Sequence, residues 1–398
     1  MPTNTAPSAP KRSLQALDRL NLSLGDVRDV FEPYLAIFLT AERQFDPAQV
    51  GIILAIANIA GIIAQTPIGA VVDASKYKRQ LIAISSVAIA IGYLMIINVR
   101  SFPVILLAQA GIGIAAVTII PAVSAISLGL VGQERFSRRI GRNETFHRSG
   151  NVVTAIIAGI LAQITGLAWI FYLLIFLCIA TTILVFQIRD RDIDNTAARA
   201  GGDDRSQTSG MDLLKDRPLL TFGLAVFLFY AANAALPLLS QHLTGGQATA
   251  ASGFISAFIG VAQLTTIPVV IWASKAADVW GRKPLLLVAF AATTVRALLY
   301  GLNANPWFVL WVQTLDGLAA GILAVAIAIV VADLTKGTGR FNLAQGGIYT
   351  TIGIGAAVGN LASGFLAKTA GFPIAFLMLS AVAALGSGWL WFAMPETK

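Results

Sequence analysis

Apolar residues run along this chain in long blocks that are separated by short polar stretches. A helix needs about 20 mainly apolar residues to cross the hydrocarbon core of a bilayer. Twelve segments meet that requirement: 22–41, 48–72, 80–98, 103–130, 143–165, 168–187, 218–241, 249–273, 284–303, 307–332, 342–368 and 372–393. Strands of a membrane barrel would instead alternate in hydrophobicity over about ten residues. The pattern predicts an all-α membrane protein with twelve transmembrane helices.

The spacing of these blocks divides the chain near its middle. Residues 188–217 are polar, contain Gly, Ser and Asp, and hold almost no bulky apolar side chains, as is typical of a linker. The sequence therefore predicts a cytoplasmic N-terminal tail (1–21), a first six-helix bundle (22–187), a cytoplasmic linker (188–217), a second six-helix bundle (218–393) and a short cytoplasmic tail (394–398).

Composition and charge support a membrane location and set the orientation. Hydrophobic residues make up 56% of the chain and charged residues 12%, which would leave a soluble domain with a large exposed apolar surface. The 28 Lys and Arg residues are scattered among apolar runs, so they do not indicate nucleic-acid binding. With the N-terminus inside, 22 of them face the cytoplasm and 3 face the opposite side. This asymmetry predicts a multi-pass protein of the bacterial inner membrane with both termini cytoplasmic.

Residues that would carry other chemistry are sparse. Cys178 is the single cysteine, and His147 and His242 are the only histidines, so the sequence predicts no metal site and no cofactor. No Gly-x-x-x-x-Gly-Lys-Ser/Thr loop is present, and ATP is therefore not expected as the energy source. No nucleophile stands with a matched base, which argues against an enzyme.

The two halves carry matching motifs at matching places. The second predicted span is followed by Gly69-Ala-Val-Val-Asp73-Ala-Ser-Lys76-Tyr-Lys78-Arg79, and the eighth by Ser274-Lys275-Ala-Ala-Asp278-Val-Trp-Gly281-Arg282-Lys283. A shorter match precedes the fifth and eleventh spans, as Gly141-Arg142-Asn143 and Gly339-Arg340-Phe341-Asn342. Such matching indicates duplicated halves related by an axis along the membrane normal.

These loops resemble those of the major facilitator superfamily, whose hallmark is a Gly, an Asp four residues later and then a basic cluster. The resemblance covers essentially the whole chain. It implies two pseudo-symmetric six-helix bundles, a small-molecule substrate held at the midplane, and a monomer in the bilayer. It also implies that Asp73 and Asp278, with their basic neighbours, act as gate latches. The gating residues expected on this basis are Gly69, Asp73, Lys78, Arg79, Arg142, Asp278, Gly281, Arg282, Lys283 and Arg340.

Departures from the family pattern bear on the subclass. Leu107 lies near the position where many proton-coupled members carry Arg, and helix 5 reads Ala158-Gly159-Ile160 in place of the Gly-Pro pair of typical drug:proton antiporters. These two absences argue against a typical drug:proton antiporter. Two other runs, Gly25-Asp26-Val27-Arg28-Asp29 with Pro33-Tyr34 and Gly339-Arg340-Phe341-Asn342-Leu343-Ala344-Gln345-Gly346, resemble a poorly described bacterial branch of the superfamily near the exporter-type permeases, and the resemblance implies no particular substrate.

Acidic residues at membrane depth in helix 1 are the leading candidates for chemistry. The uninterrupted apolar part of this helix is short, so Asp26, Asp29 and Glu32 lie within the bilayer if the helix begins near residue 22. A later start would leave the first two among the headgroups. Arg148 on helix 5 falls roughly level with Asp29, about 10 Å deep, and predicts an ion pair with Asp29 or Glu32. Neighbouring His147 is either a proton relay or a packing residue.

Further polar side chains reach similar depths. Arg296 on helix 9 and Asp316 on helix 10 lie at nearly one depth, which predicts a buried pair with either a structural or a coupling role. Near the midplane, Asn58, Asn151, Tyr230 and Asn233 are candidates for substrate contacts or for interhelical bonds. The leading functional hypothesis is a proton-coupled exporter of a small metabolite or toxic compound that works by alternating access. The alternative is a proton-coupled importer of a small organic anion or nutrient.

Overall fold

The computed structural model of this protein describes residues 11–28, 32–194, 217–243, 248–303, 305–334 and 341–397. These residues form α-helices, a single 3-10 turn (Asp190–Asp192) and no strand. The helices are α1 (Lys11–Ser23), α2 (Gly25–Arg28), α3 (Glu32–Ala41), α4 (Pro47–Ala74), α5 (Lys78–Asn98), α6 (Phe102–Thr165), α7 (Ala168–Gln187), α8 (Arg217–Ala232), α9 (Ala235–Leu243), α10 (Ala248–Trp280), α11 (Arg282–Leu302), α12 (Pro306–Leu334), α13 (Phe341–Ala370) and α14 (Phe372–Ala393).

Ten stretches of the described chain are long and apolar enough to cross a membrane, and they match ten of the twelve predicted spans. The other two predicted spans are not among these ten. The first, 22–41, contains α2, α3 and the end of α1, and its residues 29–31 lie outside the described residues. The second, 143–165, lies inside α6 and carries Glu144, His147 and Arg148 in its first two turns. Length and hydropathy therefore identify ten apolar spans in the described chain, and polar side chains lower the hydropathy of 143–165.

Two helix limits depend on glycine backbone geometry. α6 contains two predicted spans and is interrupted at Gly132, whose φ of 70° and ψ of 173° are not helical. α11 is preceded by Gly281 with a φ of 94°. Both angles lie where an L side chain is disfavoured, so glycine permits the chain to change direction at these points.

The packing of Cα atoms divides the chain into two compact units. The described part of the first unit holds residues 11–28, 60–158 and 168–194. In it α5 and α1 both pack against α7, and the rings of Tyr93 and Phe171 lie 5.7 Å apart. Residues 11–21, which the sequence places in a tail, are helical and bury Leu17 and Leu20 completely. The start of the chain is thus part of the packed structure of this unit.

The second unit combines parts of both halves of the sequence. Its described part holds residues 32–59, 159–167 and the chain from 217 onward. α10 packs against α12, α11 against α14 and α13 against α8, around a core that includes Phe222, Phe229 and Phe290. α9 packs against α3. The division into bundles at 22–187 and 218–393 stays a prediction, because Cα packing groups α3 and the start of α4 with the second half.

Candidate functional site

The side chain of Glu32 is held by two amide groups from distant parts of the chain. Glu32 lies on α3. Asn58 Nδ2 on α4 donates to Glu32 Oε1 at 3.0 Å, and Asn360 Nδ2 on α13 donates to Glu32 Oε2 at 3.4 Å. The carboxyl group thus has a neutral donor on each oxygen. The structure brings Glu32 and Asn58 together as two of the predicted cavity residues.

This arrangement suits a group that binds and releases a proton. Both hydrogen-bond partners that the structure gives Glu32 are neutral, and a carboxylate within a bilayer is costly when no opposite charge compensates it. The amides can donate to the ionised form and, after rotation, accept from the protonated form. Sequence reasoning missed Asn360. The signal was available, because Asn360 is an amide in an otherwise apolar run, as Asn58 is.

Close helix crossings surround the Glu32 site. A Cβ atom added to Gly51 would lie 2.5 Å from the carbonyl oxygen of Asn360, and one added to Gly364 would lie 2.5 Å from the carbonyl oxygen of Pro47. Small residues allow this approach of α4 and α13. Tyr34 and Ser256 share a hydrogen bond of 2.6 Å between their hydroxyl groups. Helices from both halves of the sequence therefore meet tightly around Glu32.

An ion pair lies at the ends of the same two helices. Lys368 Nζ donates to Asp46 Oδ2 at 2.9 Å. Burial raises the pKa of the Asp46 carboxyl, but the hydrogen bonds from Lys368 and from the Gln49 and Ala48 backbone outweigh it, so its pKa lies below the ordinary value. The side chains are partly exposed, so the pair contributes little to stability. Its position ties α13 to the segment before α4, and sequence reasoning did not single it out.

The predicted contact between Arg296 and Asp316 is confirmed. Arg296 Nη1 forms an ion pair with Asp316 Oδ1, and Arg296 Nη2 donates to Asn233 Oδ1 at 2.7 Å. The Arg296 side chain is 1% exposed and that of Asp316 is 20% exposed. The hydroxyl of Tyr300, one turn after Arg296, donates to Gln313 Oε1. A role of Arg296, Asp316 or Asn233 in transport stays a prediction.

The first unit also contains the predicted site residues of the fifth predicted span, which lie on α6: His147, Arg148 and Asn151. Arg148 Nη2 lies 3.1 Å from Glu144 Oε1, one turn earlier on α6. His147 and Asn151 are buried, and a Cβ atom added to Gly25 would lie 2.7 Å from Asn151 Oδ1. The side chain of Asp26 and all of Asp29 lie outside the described residues. Pairing of Arg148 with Asp29 or Glu32 stays a prediction, and Glu144 is a partner that sequence reasoning missed.

The basic residues of the first predicted gating loop, which follows α4, form hydrogen bonds and an ion pair. Lys78 Nζ donates to the carbonyl of Ser75 at 2.8 Å, and Arg79 donates to the carbonyl of Ile188 at 2.6 Å and pairs with Asp190. Gly69 lies in the last turns of α4. The Asp73 side chain lies outside the described residues, so its latch role stays a prediction.

Arg142 takes part in a buried cluster of the first unit. Arg142 Nη2 lies 2.8 Å from Asp18 Oδ2, and Arg139 Nη2 lies 2.5 Å from Asp18 Oδ1. Arg139 Nε also donates to Asn143 Oδ1 at 2.7 Å. Burial raises the pKa of the Asp18 carboxyl, but the hydrogen bonds from Arg142 and Arg139 outweigh it and hold its pKa below the ordinary value. Asp18 lies in the predicted tail and was not a predicted site residue.

The second predicted gating loop, which precedes α11, is hydrogen-bonded to the carboxylate of Glu396. Glu396 accepts hydrogen bonds from the backbone N–H groups of Arg282 at 2.8 Å and Lys283 at 3.2 Å, at the first turn of α11. Arg282 Nε also donates to Asp333 Oδ2 at 2.8 Å. The side chain of Asp278 and all of Arg340 lie outside the described residues. Glu396 therefore holds the helix N-terminus next to the predicted latch.

Tyr230 lies one turn before Asn233, and its ring contacts the Phe229 ring at a centroid distance of 5.5 Å.

Ten apolar spans among the described residues and the loop motifs duplicated in the two halves are the features of a polytopic membrane protein. Residues 29–378 match the family described as "MFS_1 like family". The chain belongs to this family and is a membrane transporter of the MFS type.

Relatives and solved structures agree with this assignment. An uncharacterized MFS-type transporter of Mycobacterium tuberculosis is 40% identical over 406 residues, covering 99% of this chain and 96% of that protein. An efflux pump of Dothistroma septosporum, dotC, is 31% identical over 128 residues, covering 30% of this chain and 21% of that protein. A mutant form of the nucleoside transporter NupG has the same fold, with a TM-score of 0.82, 14% identity, and coverage of 96% of this chain and 100% of that chain.

Proposed function

We propose that this transporter is a proton-coupled exporter of a small metabolite or toxic compound, with Glu32 as the protonation site. The observation that carries the proposal is the environment of Glu32, a carboxyl in the first predicted span whose described partners are the neutral amides of Asn58 and Asn360. Binding a proton removes a charge that the bilayer disfavours. Protonation therefore changes the contacts that hold α3, α4 and α13 together.

Export is supported by the family setting. One relative, matched over 30% of this chain, is an efflux pump. The second candidate, import of a small organic anion with protons, is supported by Arg148, whose side chain is 32% exposed and could contact an anion. Arg296 does not support it, because Asp316 and Asn233 already engage its guanidinium group. We further propose a monomer in the bacterial inner membrane with both termini cytoplasmic.

Proton flux in proteoliposomes tests the coupling and the direction. Purified protein is reconstituted with a pH-sensitive dye inside the vesicles, and a panel of metabolites and toxicants is added to either side. Inward protons with outward substrate indicate export, co-directional movement indicates import, and product formation would indicate an enzyme.

Glu32→Gln identifies the protonation site. Glutamine keeps the size of the side chain, and rotation of the Asn360 amide allows both hydrogen bonds to persist, so the variant imitates a permanently protonated Glu32. We expect proton-driven uphill transport to be lost while substrate exchange persists. The matched control is Glu42→Gln, because Glu42 is an exposed acid just after α3, and it should leave both activities unchanged. Uphill transport by Glu32→Gln at the rate of the unmodified protein would exclude Glu32 as the proton carrier.

A further inference from the structure

The helix that the sequence predicts over 218–241 is broken in the structure. α8 ends at Ala232 and α9 begins at Ala235. The break has a local cause: Pro237 has no N–H to donate to the carbonyl of Asn233, and its ring crowds that carbonyl. The backbone N–H of Asn233 bonds to the carbonyl of Tyr230 at 3.2 Å, which tightens the turn. The position of α9 relative to α8 therefore depends on what holds residue 233.

A buried charge holds that residue. Arg296 lies on α11, is fixed by Asp316 on α12, and donates through Nη2 to the Asn233 side chain at 2.7 Å. Because Arg296 is 1% exposed, this bond is shielded from water, and a bond with a charged donor is stronger than one between neutral groups. Among the described residues, Asn233 connects the Arg296–Asp316 ion pair to the break between α8 and α9.

The repeat shows that helix packing alone does not require the ion pair. α5 and α11 are each 21 residues long, and Gly92 and Arg296 are the fifteenth residue of each. Ile112 and Asp316 are each the eleventh residue of α6 and α12. A Cβ atom on Gly92 would lie 2.5 Å from Ile112 Cγ1, so the equivalent positions touch in the first half without any charge. A buried ion pair often adds no stability over such an apolar contact.

We infer that Arg296 and Asp316 are positioning residues. Through the hydrogen bond from Arg296 to Asn233 they hold the break between α8 and α9, and in this way they set the contact of α9 with α3. α9 packs directly on α3, the helix that begins with Glu32. Pro33, at the start of α3, stands at the same offset in the repeat as Pro237 in α9, so the two segments are counterparts. The link to proton coupling rests on the proposed role of Glu32, whereas the role of the Arg296–Asn233 hydrogen bond in holding the break does not.

The accessibility of a buried cysteine in α9 tests whether the Arg296–Asn233 hydrogen bond holds α9 in place. Leu239→Cys is made in a Cys178→Ser background, and its reaction with a maleimide is timed in purified protein without ligand or proton gradient. Leu239 is fully buried, so labelling reports how often α9 moves away. Asn233→Leu removes the acceptor and should raise the labelling rate roughly tenfold, as the loss of a hydrogen bond to a charged group would. Asn233→Asp keeps an acceptor oxygen and should stay within about twofold of the unmodified rate.

A control cysteine in α8 distinguishes movement of α9 alone from a general destabilisation of the protein. Leu219→Cys in α8 is buried at 6% exposure and should label at the same rate in every variant, whereas a merely structural defect would speed both sites. Arg296→Gly/Asp316→Ile copies the contact of the first half and should match Asn233→Leu at residue 239. Adding Asn233→Leu to that double variant should give no further rise.

Equal labelling of Asn233→Leu and Asn233→Asp, or additive effects in the triple variant, would overturn the inference. The two Asn233 variants keep the ion pair, so the test does not depend on the folding of the double variant. Failure of Glu32 as a proton carrier would leave these labelling rates unchanged, because no transport is measured.

Discussion

Replacing Asp18 should destabilise the first unit through one buried arginine. Asp18 lies on α1 and pairs with Arg139 and Arg142, whose side chains are 5% and 59% exposed. Asp18→Asn keeps the shape of the side chain and removes its charge. Breaking a buried ion pair costs about 3 to 5 kcal/mol, and because Arg139 keeps its bond to Asn143 we expect a value near the lower end, about 3 kcal/mol.

Arg142 provides the matched control for this prediction. An exposed ion pair contributes about 0 to 1 kcal/mol, so Arg142→Gln should cost far less than Arg139→Gln or Asp18→Asn. Thermal unfolding in detergent, followed by the reaction of a dye with Cys178 as it becomes exposed, gives the midpoint of each variant. A double-mutant cycle between Asp18→Asn and Arg139→Gln should show strong coupling. A loss for Asp18→Asn no greater than that for Arg142→Gln would refute the reasoning.

The pH dependence supplies a second readout for Asp18. Its pKa in the folded protein lies below the ordinary value of 3.8, so its stabilising contribution is present above that value and is lost as the pH falls through the folded pKa. The stability difference between the unmodified protein and Asp18→Asn should therefore stay constant from about pH 7 to pH 5 and shrink below about pH 4. A difference that grew on acidification would contradict this sign.

Two further predictions concern orientation and helix crossing. Cysteines introduced at 188–217 in a Cys178→Ser background should react with impermeant reagents only after the membrane is opened, and labelling in intact cells would reverse the proposed orientation. Gly51→Ala places a Cβ atom 2.5 Å from the carbonyl oxygen of Asn360, so it should separate α4 from α13 and reduce transport several-fold. In Gly388→Ala the added Cβ would meet no described atom within 4 Å, and an equal loss of transport there would remove the crossing as the cause.

Counting along the helices was enough to place one pair of partners. Arg296 is the fifteenth of the 21 residues of α11 and Asp316 is the eleventh of the 29 residues of α12, and a side chain's depth follows from the rise of about 1.5 Å per residue. Because the two helices are consecutive and antiparallel, equal depth left little freedom, and the ion pair is present as predicted. The same count predicts Glu32 at membrane depth, but it did not find the partner Asn360, because Asn360 lies 328 residues away.

Local signals also missed the structure of two short segments. Residues 11–21 are polar in composition and were assigned to a tail, yet they form a helix that buries Leu17 and pairs Asp18 with two arginines. The run 218–241 is uniformly apolar and predicted one helix, although Pro237 supplied a local reason for the break at Asn233. A hydropathy scan sees neither the partner of a polar side chain nor the loss of a single backbone hydrogen bond.

By itself the sequence determined the all-α class, the positions of the ten apolar spans found in the described chain and the duplicated loop motifs. These depend on hydrophobic length and helical rise, which are properties of a single segment. Only the tertiary structure decided which groups meet: Glu32 with Asn360, Asp18 with Arg139, and Arg296 with Asn233. Partner choice depends on how each helix is rotated and tilted, and small residues such as Gly51 and Gly364 set those angles through contacts with helices far away in the chain.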